Sequence, residues 1–114
     1  MAAPVVDLSV DKGRSYRMTF NFLDDSGNPM NLAPFYFVSQ MRVTEAVDSD
    51  LLCTPTIDSS HASSGAITLQ LYDTDTDNLE SSTGYYDLVA TAGQTVQTLV
   101  GGQVAFNDRP TQHP

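Results

Sequence analysis

The chain has 114 residues and is 40% hydrophobic. That is enough for one domain over residues 1–114 with a core of ordinary size, and too little for two. Its net charge is −9, with Lys12, Arg14, Arg17 and Arg42 early in the chain and ten acidic but no basic residues from Val43 to Asp108. This excludes direct nucleic-acid binding, which needs clustered lysines and arginines. The single cysteine, Cys53, excludes an internal disulfide, and no apolar run approaches the length of a membrane-spanning helix. The N-terminus "MAAPVVDLSV" lacks the basic and apolar regions of a secretory signal, so the expectation is a soluble chain folded in a reducing cytoplasm.

Alternation with a period of two dominates from the start. Val6, Leu8 and Val10 alternate with Asp7 and Ser9. After "DKG", Tyr16, Met18, Phe20 and Phe22 alternate with Arg17, Thr19 and Asn21, which predicts a strand with four large apolar groups on one face. The stretch "LDDSGNP" predicts a turn, because Asp and Ser bond their own backbone, Gly27 tolerates positive φ and Pro29 ends a ladder. Phe35, Phe37, Ser39, Met41 and Val43 then alternate with Tyr36, Val38, Gln40 and Arg42; both sets are fairly apolar, which predicts a central strand.

"LLCTPTI" predicts a short strand at an edge or bulge because of its proline, and Cys53 within it reads as a small core residue. "DSSHASSG" reads as a polar loop. Ile67, Leu69 and Leu71 form another alternating set, as do Tyr86, Leu88 and Ala90. Two last short segments fill residues 95–106, where Gly101 and Gly102 predict a bulge or bend. The sum is an all-β chain, an immunoglobulin-like β-sandwich of about seven antiparallel strands with one short helical turn.

The helical turn is expected in "YDTDTDNLESSTGYYDL". Asp73, Asp75 and Asp77 stand at alternate positions, as the first ligands of an EF-hand do. Asn78 replaces the required glycine, Gly84 the bidentate glutamate, and the flanking helices are missing. The stretch therefore reads as a turn crossing between sheets, capped by Asp73 or Thr74 with Leu79 in the core, and the three aspartates remain at most a weak cation site. Beyond it, Gly84, Tyr86 and Leu88 match a tyrosine corner. In that arrangement Tyr86 turns inward and its hydroxyl bonds backbone near residues 79–83.

Catalytic groups are sparse. The histidines are His61, beside Ser63 and Ser64 in the polar loop, and His113 near the end; neither forms a triad or a metal pair in sequence. "GQTVQTLVGG" lacks the lysine and the strand-to-helix context of a phosphate loop. The expectation is a non-enzymatic chain without cofactor or small-molecule ligand.

The order of motifs then carries a resemblance. "DKGRSYRMTFNFLDDSGNPMNLAPFYFVSQMRV" resembles a bacteriophage pattern of a charged-glycine lead, an alternating strand, an acidic glycine–proline turn and a strand ending in a methionine. "SGAITLQLYDTDTDNLESSTGYYDLVATAGQTVQTLVGGQVAFNDRPT" resembles its continuation, with Gln97 and Thr98 where arginine is common and "NDRPTQHP" in place of a valine–proline exit. Together these stretches resemble the immunoglobulin-like N-terminal domain of phage baseplate upper proteins, and small virion structural proteins of similar pattern.

The resemblance implies a virion protein made in the host cytoplasm. Its partners would be other phage virion proteins, met in many copies, and its role docking or adapting within tail, baseplate or fibre attachment. A capsid decoration protein and a calcium- or carbohydrate-binding module are the alternatives. Contacts are expected at the first and last strands as exposed edges, at the two proline-rich termini, and at Tyr36, Val38, Tyr72 and Tyr85.

Overall fold

The computed structural model describes residues 4–46 and 48–108. Among these residues eight strands form: β1 (Leu8–Asp11), β2 (Tyr16–Asn21), β3 (Tyr36–Arg42), β4 (Leu51–Cys53), β5 (Thr56–Asp58), β6 (Ala66–Leu71), β7 (Thr83–Ala92) and β8 (Thr95–Asn107). A 3₁₀ turn (Ala62–Ser64) precedes β6 and one helical turn, α1 (Asp73–Thr76), follows it. The strands lie in two sheets, ordered β1-β8-β7-β3-β4 and β2-β6-β5. With β2, β3, β5, β6, β7 and β8 taken as strands B, C, D, E, F and G, this is the immunoglobulin-like arrangement of CFG facing BED, with β4 added beside C.

The alternation in the sequence becomes the division between core and surface. Leu8 and Val10, Phe20, Met41, Ile67, Leu69 and Leu71, Tyr86, Leu88 and Ala90, and Val100, Val104 and Phe106 all point inward and are buried together. Each side chain of a strand faces opposite its neighbour, so one sheet face per strand supplies the core. β3 is flanked by β7 and β4, the central position its two apolar faces foretold. "LLCTPTI" makes two strands instead of one: β4 closes the five-stranded sheet, β5 closes the three-stranded sheet, and Thr54 and Pro55 make the crossing. The polar loop is partly built in, since Ala62 is buried and its carbonyl accepts the Leu32 N–H at 2.8 Å.

Three expectations need correction. One pair is parallel where all were expected to be antiparallel: β1 runs beside β8 with Leu8 opposite Val104 and Asp11 opposite Asn107. The last strand is therefore not an edge. β8 lies between β1 and β7 because the apolar N-terminal segment covers its free side, leaving β1 as the edge. Finally, residues 95–107 form one continuous strand, and its register against β7 shifts between Leu88 and Val89, which face Val100 and Thr98. The bulge thus falls at Leu99, ahead of the glycine pair.

The glycines have a different task. A Cβ on Gly102 would lie 2.5 Å from the Val6 carbonyl oxygen and 2.9 Å from Asp7 Oδ1. Only glycine lets the N-terminal backbone come so close. The Val6 N–H donates to the Gly101 carbonyl at 2.9 Å, and the Gly101 N–H to the Pro4 carbonyl at 3.2 Å. Of the two proline-rich ends, Pro4, Val5 and Val6 are thereby seated on β8, and Asp108 is paired with Lys12 at 3.0 Å. Residues 1–3 and 109–114, including His113, lie outside the described residues.

Candidate docking surface

The outer face of the five-stranded sheet carries cross-strand rows set by its registers. Tyr36, Thr91 and Val96 form one row; Val38, Val89 and Thr98 the next; then Gln40, Asp87 and Gly101; then Arg42, Tyr85 and Gln103. The first two rows are the apolar end. Tyr36 is 79% exposed, Val96 65% and Val38 53%, so three large apolar side chains stand together in solvent on one face. Scattered exposed apolar residues need no explanation, whereas a clustered patch marks a contact surface.

The other two rows form a polar concavity of about 530 Å³ between the N-terminal segment and the residues after β3. Arg42 is pinned there, its guanidinium donating to the Ser49 carbonyl at 2.7 Å and to Gln40 Oε1 at 2.8 Å. The Gln103 N–H donates to Asp7 Oδ1 at 3.0 Å. Partial burial pushes the Asp87 carboxyl above its usual range, with Arg42 opposing the shift. Sequence reading missed Arg42, Asp87, Asp7 and Gln103 as neighbours, because only the register of four strands brings them together.

The residues expected to make contacts divide. Tyr36 and Val38 share the apolar end, and Tyr85 lies on the same face at the polar end. Tyr72 is apart from them: it caps α1 after β6 of the other sheet.

The tyrosine corner does not form. Tyr86 is buried as expected, its ring stacked 6.5 Å from that of Phe20, but its hydroxyl donates to the Val6 carbonyl at 2.6 Å and not to backbone near residues 79–83. Its partner across β7 and β8 is Gly102, whose missing side chain admits the Val6 carbonyl, so the acceptor that meets the phenol comes from the N-terminal segment. Burial, then Tyr16 and Asp7, push its hydroxyl well above the usual tyrosine range. Gly84 belongs to packing instead: a Cβ there would meet Leu52 Cδ1 at 2.7 Å and the Arg42 carbonyl at 2.9 Å. Leu88 is a fully buried core residue.

Tyr72, and not Asp73 or Thr74, is the N-cap of α1, and two of the aspartates support the turn. Asp75 reaches back to accept the Tyr72 N–H at 2.7 Å, the reciprocal half of a capping box, and Asp73 Oδ1 accepts the Thr74 N–H at 2.8 Å. Thr76 is fully buried and accepts the Gly13 N–H at 2.9 Å, tying the turn to the crossing between β1 and β2. Leu79 packs against the core. Among the described residues no group of three or more His, Cys, Asp or Glu side chains is placed to hold a metal, so Asp73, Asp75 and Asp77 do not converge on one point.

His61 is exposed, and neighbouring hydroxyls do not serve its ring. Ser64 Oγ donates to the His61 backbone carbonyl at 3.0 Å and Ser60 Oγ to Asp58 Oδ1 at 2.7 Å. Those Ser60 bonds hold the Asp58 carboxyl below its ordinary value. Burial, helped by Asp75, pushes the Cys53 thiol to about 11, and its Sγ lies 3.6 Å from Met41 Sδ. A thiol so held stays protonated at neutral pH and behaves as a core residue.

No family model and no curated protein matches the chain. Among solved structures, it is similar to one from photo-crosslinking work on multimeric cell-adhesive interactions of VGSC beta subunits. The identity is 13%, the overlap 94% of this chain and 93% of the other, and the TM-score 0.43.

Proposed function

We propose that this chain is a non-enzymatic docking module of a bacteriophage virion, an adaptor within the tail, baseplate or fibre attachment that binds its neighbours through the outer face of the five-stranded sheet. One observation carries the docking face: Tyr36, Val38 and Val96 are exposed together on a sheet whose inner face is fully used by the core. Aromatic and branched groups desolvated at the centre of a contact, with a polar rim, are the usual anatomy of such an interface. Here the rows of Gln40 and Arg42 supply that rim. The phage context is supported by the order of sequence motifs from the charged-glycine lead through "GYYDL".

Mechanism in this reading is surface complementarity, and rigidity is what the fold contributes. β3, β7 and β8 present the face without a loop inserted in it, so little ordering entropy is lost on contact. Gold-labelled antibody against the chain, applied to purified particles of the phage that encodes it, tests the proposal. Label on the tail or its tip is the expected result, and a Tyr36→Ser, Val38→Ser double variant is expected to be missing from assembled particles. Label spread over the capsid shell would establish the decoration alternative instead, and particles without the chain would overturn both.

A further inference from the structure

The sandwich has four sheet edges, and three are blunted. β1 spans four residues and carries the N-terminal segment, β4 spans three and runs into Thr54 and Pro55, and β5 spans three directly after Pro55. Short strands and flanking prolines are common ways of keeping an edge from pairing with a stranger. β2 has neither protection: it spans six residues, Tyr16–Asn21, without proline, glycine or carboxylate. In an immunoglobulin sandwich strand A lies beside strand B, but here the N-terminal strand joins the other sheet beside β8, and among the described residues the flank of β2 is left open.

The ladder fixes which groups face that open flank. The Phe22 N–H donates to the Gly65 carbonyl at 2.9 Å, continuing the β2–β6 register, so Tyr16, Met18 and Phe20 direct their N–H and C=O toward β6. Arg17, Thr19 and Asn21 direct theirs away from it. Tyr16 and Met18 are inward-facing yet only half-buried, as expected of side chains at an uncovered edge.

We infer that β2 pairs antiparallel with β2 of a second copy of this chain, about a two-fold axis at Thr19. Thr19 then faces the partner's Thr19, Arg17 faces Asn21 and Met18 faces Phe20, which keeps apolar with apolar and polar with polar on the two faces. This register enters all three free N–H and C=O pairs into the new ladder. Sliding the axis to Arg17 would oppose two guanidinium groups and leave Asn21 outside. β2 is also a stretch where two chains of charge −9 can meet without opposing carboxylates, since its one charged residue is Arg17. The product is a six-stranded sheet across the dimer. An axis perpendicular to that sheet turns both five-stranded sheets the same way, so the pair presents two docking faces side by side and gains avidity on a repetitive surface.

Light scattering of the parent chain from about 10 μM to about 1 mM tests this, alongside amide hydrogen exchange at both ends of that range. The mass is expected to rise from 12.3 kDa toward twice that value. Exchange at Arg17, Thr19 and Asn21 is expected to slow with concentration while that at Met18 and Phe20 is unchanged. Both variants give up the hydroxyl bond between Thr19 and Thr68 at 2.8 Å; beyond that, Thr19→Pro removes a backbone N–H that β6 does not use, and Thr19→Lys sets two ammonium groups at the axis, so both are expected to stay monomeric at the highest concentration with a cooperative melt. Should one of them fail to fold, the other and the exchange pattern still decide. A parent that remains monomeric throughout, or a dimer in which the three amides exchange as fast as in the monomer, overturns the inference. Because Tyr36 and Val38 are on the other sheet, their double variant is expected to dimerise normally, so loss of docking and loss of pairing are read separately.

Discussion

β1 and β2 are joined by one turn and close the same side of the sandwich, but their flanks are treated in opposite ways. At β1 the chain before the strand is fastened down: Val6 bonds Gly101, the Tyr86 hydroxyl reaches the Val6 carbonyl, and Asp7 accepts the Gln103 N–H. At β2 a six-residue ladder ends in donors and acceptors that no strand among the described residues meets. The difference comes from the glycine pair in β8. Its missing side chains draw the N-terminal backbone into the five-stranded sheet, and the segment that could have covered β2 is used up there. One local choice of residue therefore completes one sheet and exposes the other.

The largest way to break this arrangement is Gly102→Val. The new side chain would overlap the Val6 carbonyl, so the N-terminal segment must peel away, and the expected loss is about 3 kcal/mol in urea unfolding. If the segment were only lying on the surface, the loss would stay under about 0.5 kcal/mol.

Tyr86→Phe sharpens the same point from the other partner. It removes the hydroxyl bonded to Val6 and is expected to cost about 1 kcal/mol. It also carries a pH signature. The folded hydroxyl titrates above its unfolded value, so its contribution is full below about pH 10 and is lost as pH rises from there toward the folded value. Alkaline melting curves are expected to fall more gently for the variant than for the parent.

A smaller effect is expected at α1. Asp75→Ala removes the acceptor of the Tyr72 N–H and should cost about 0.5–1 kcal/mol, to the same extent with calcium or with chelator. A calcium-dependent shift in the parent's melting temperature that the variant lacks would revive the aspartates as a cation site.

These cases show where sequence reading reaches and where it stops. Alternation is a local property, so Phe20, Ile67, Leu69, Leu88 and their neighbours were legible as strand residues facing a core, and the turn at residues 73–76 was legible from its early carboxylates and Leu79. Tyr86 was legible as an inward tyrosine, but its acceptor lies 80 residues away, and nothing near it in sequence announces Val6. The glycine pair predicts only a bulge or bend, because a backbone approaching from another strand leaves no trace in a single segment. The polar concavity was invisible for the same reason: Arg42, Asp87 and Gln103 are brought into adjoining rows by registers, one of which turns on a single extra residue at Leu99.

Asp87 gives a modest, signed test of that concavity. Its folded carboxyl titrates above the unfolded one, so ionisation opposes folding: the favourable contribution is present below the unfolded value near pH 4 and is lost as pH rises through the folded value. Asp87→Asn is therefore expected to melt slightly higher than the parent near pH 7, with the gain vanishing near pH 3. A lower melting temperature at neutral pH would mean that Arg42 holds the carboxylate more strongly than burial opposes it.

The smallest effect on stability belongs to the face assigned the largest part in function. Tyr36 and Val38 project from β3 on the side away from the core, so Tyr36→Ser with Val38→Ser removes no packing against Leu88 or Met41 and should change urea stability by less than about 0.5 kcal/mol per site. Serine lowers strand propensity somewhat, which sets the sign as a slight loss. The contrast with Gly102→Val is what separates the two regions: a residue with no side chain holds the fold together, while two large ones leave it almost untouched. Were the double variant to lose several kcal/mol, the outer face would be a second packing surface, covered within the chain's own assembly, and its assignment as a docking site for other proteins would fall.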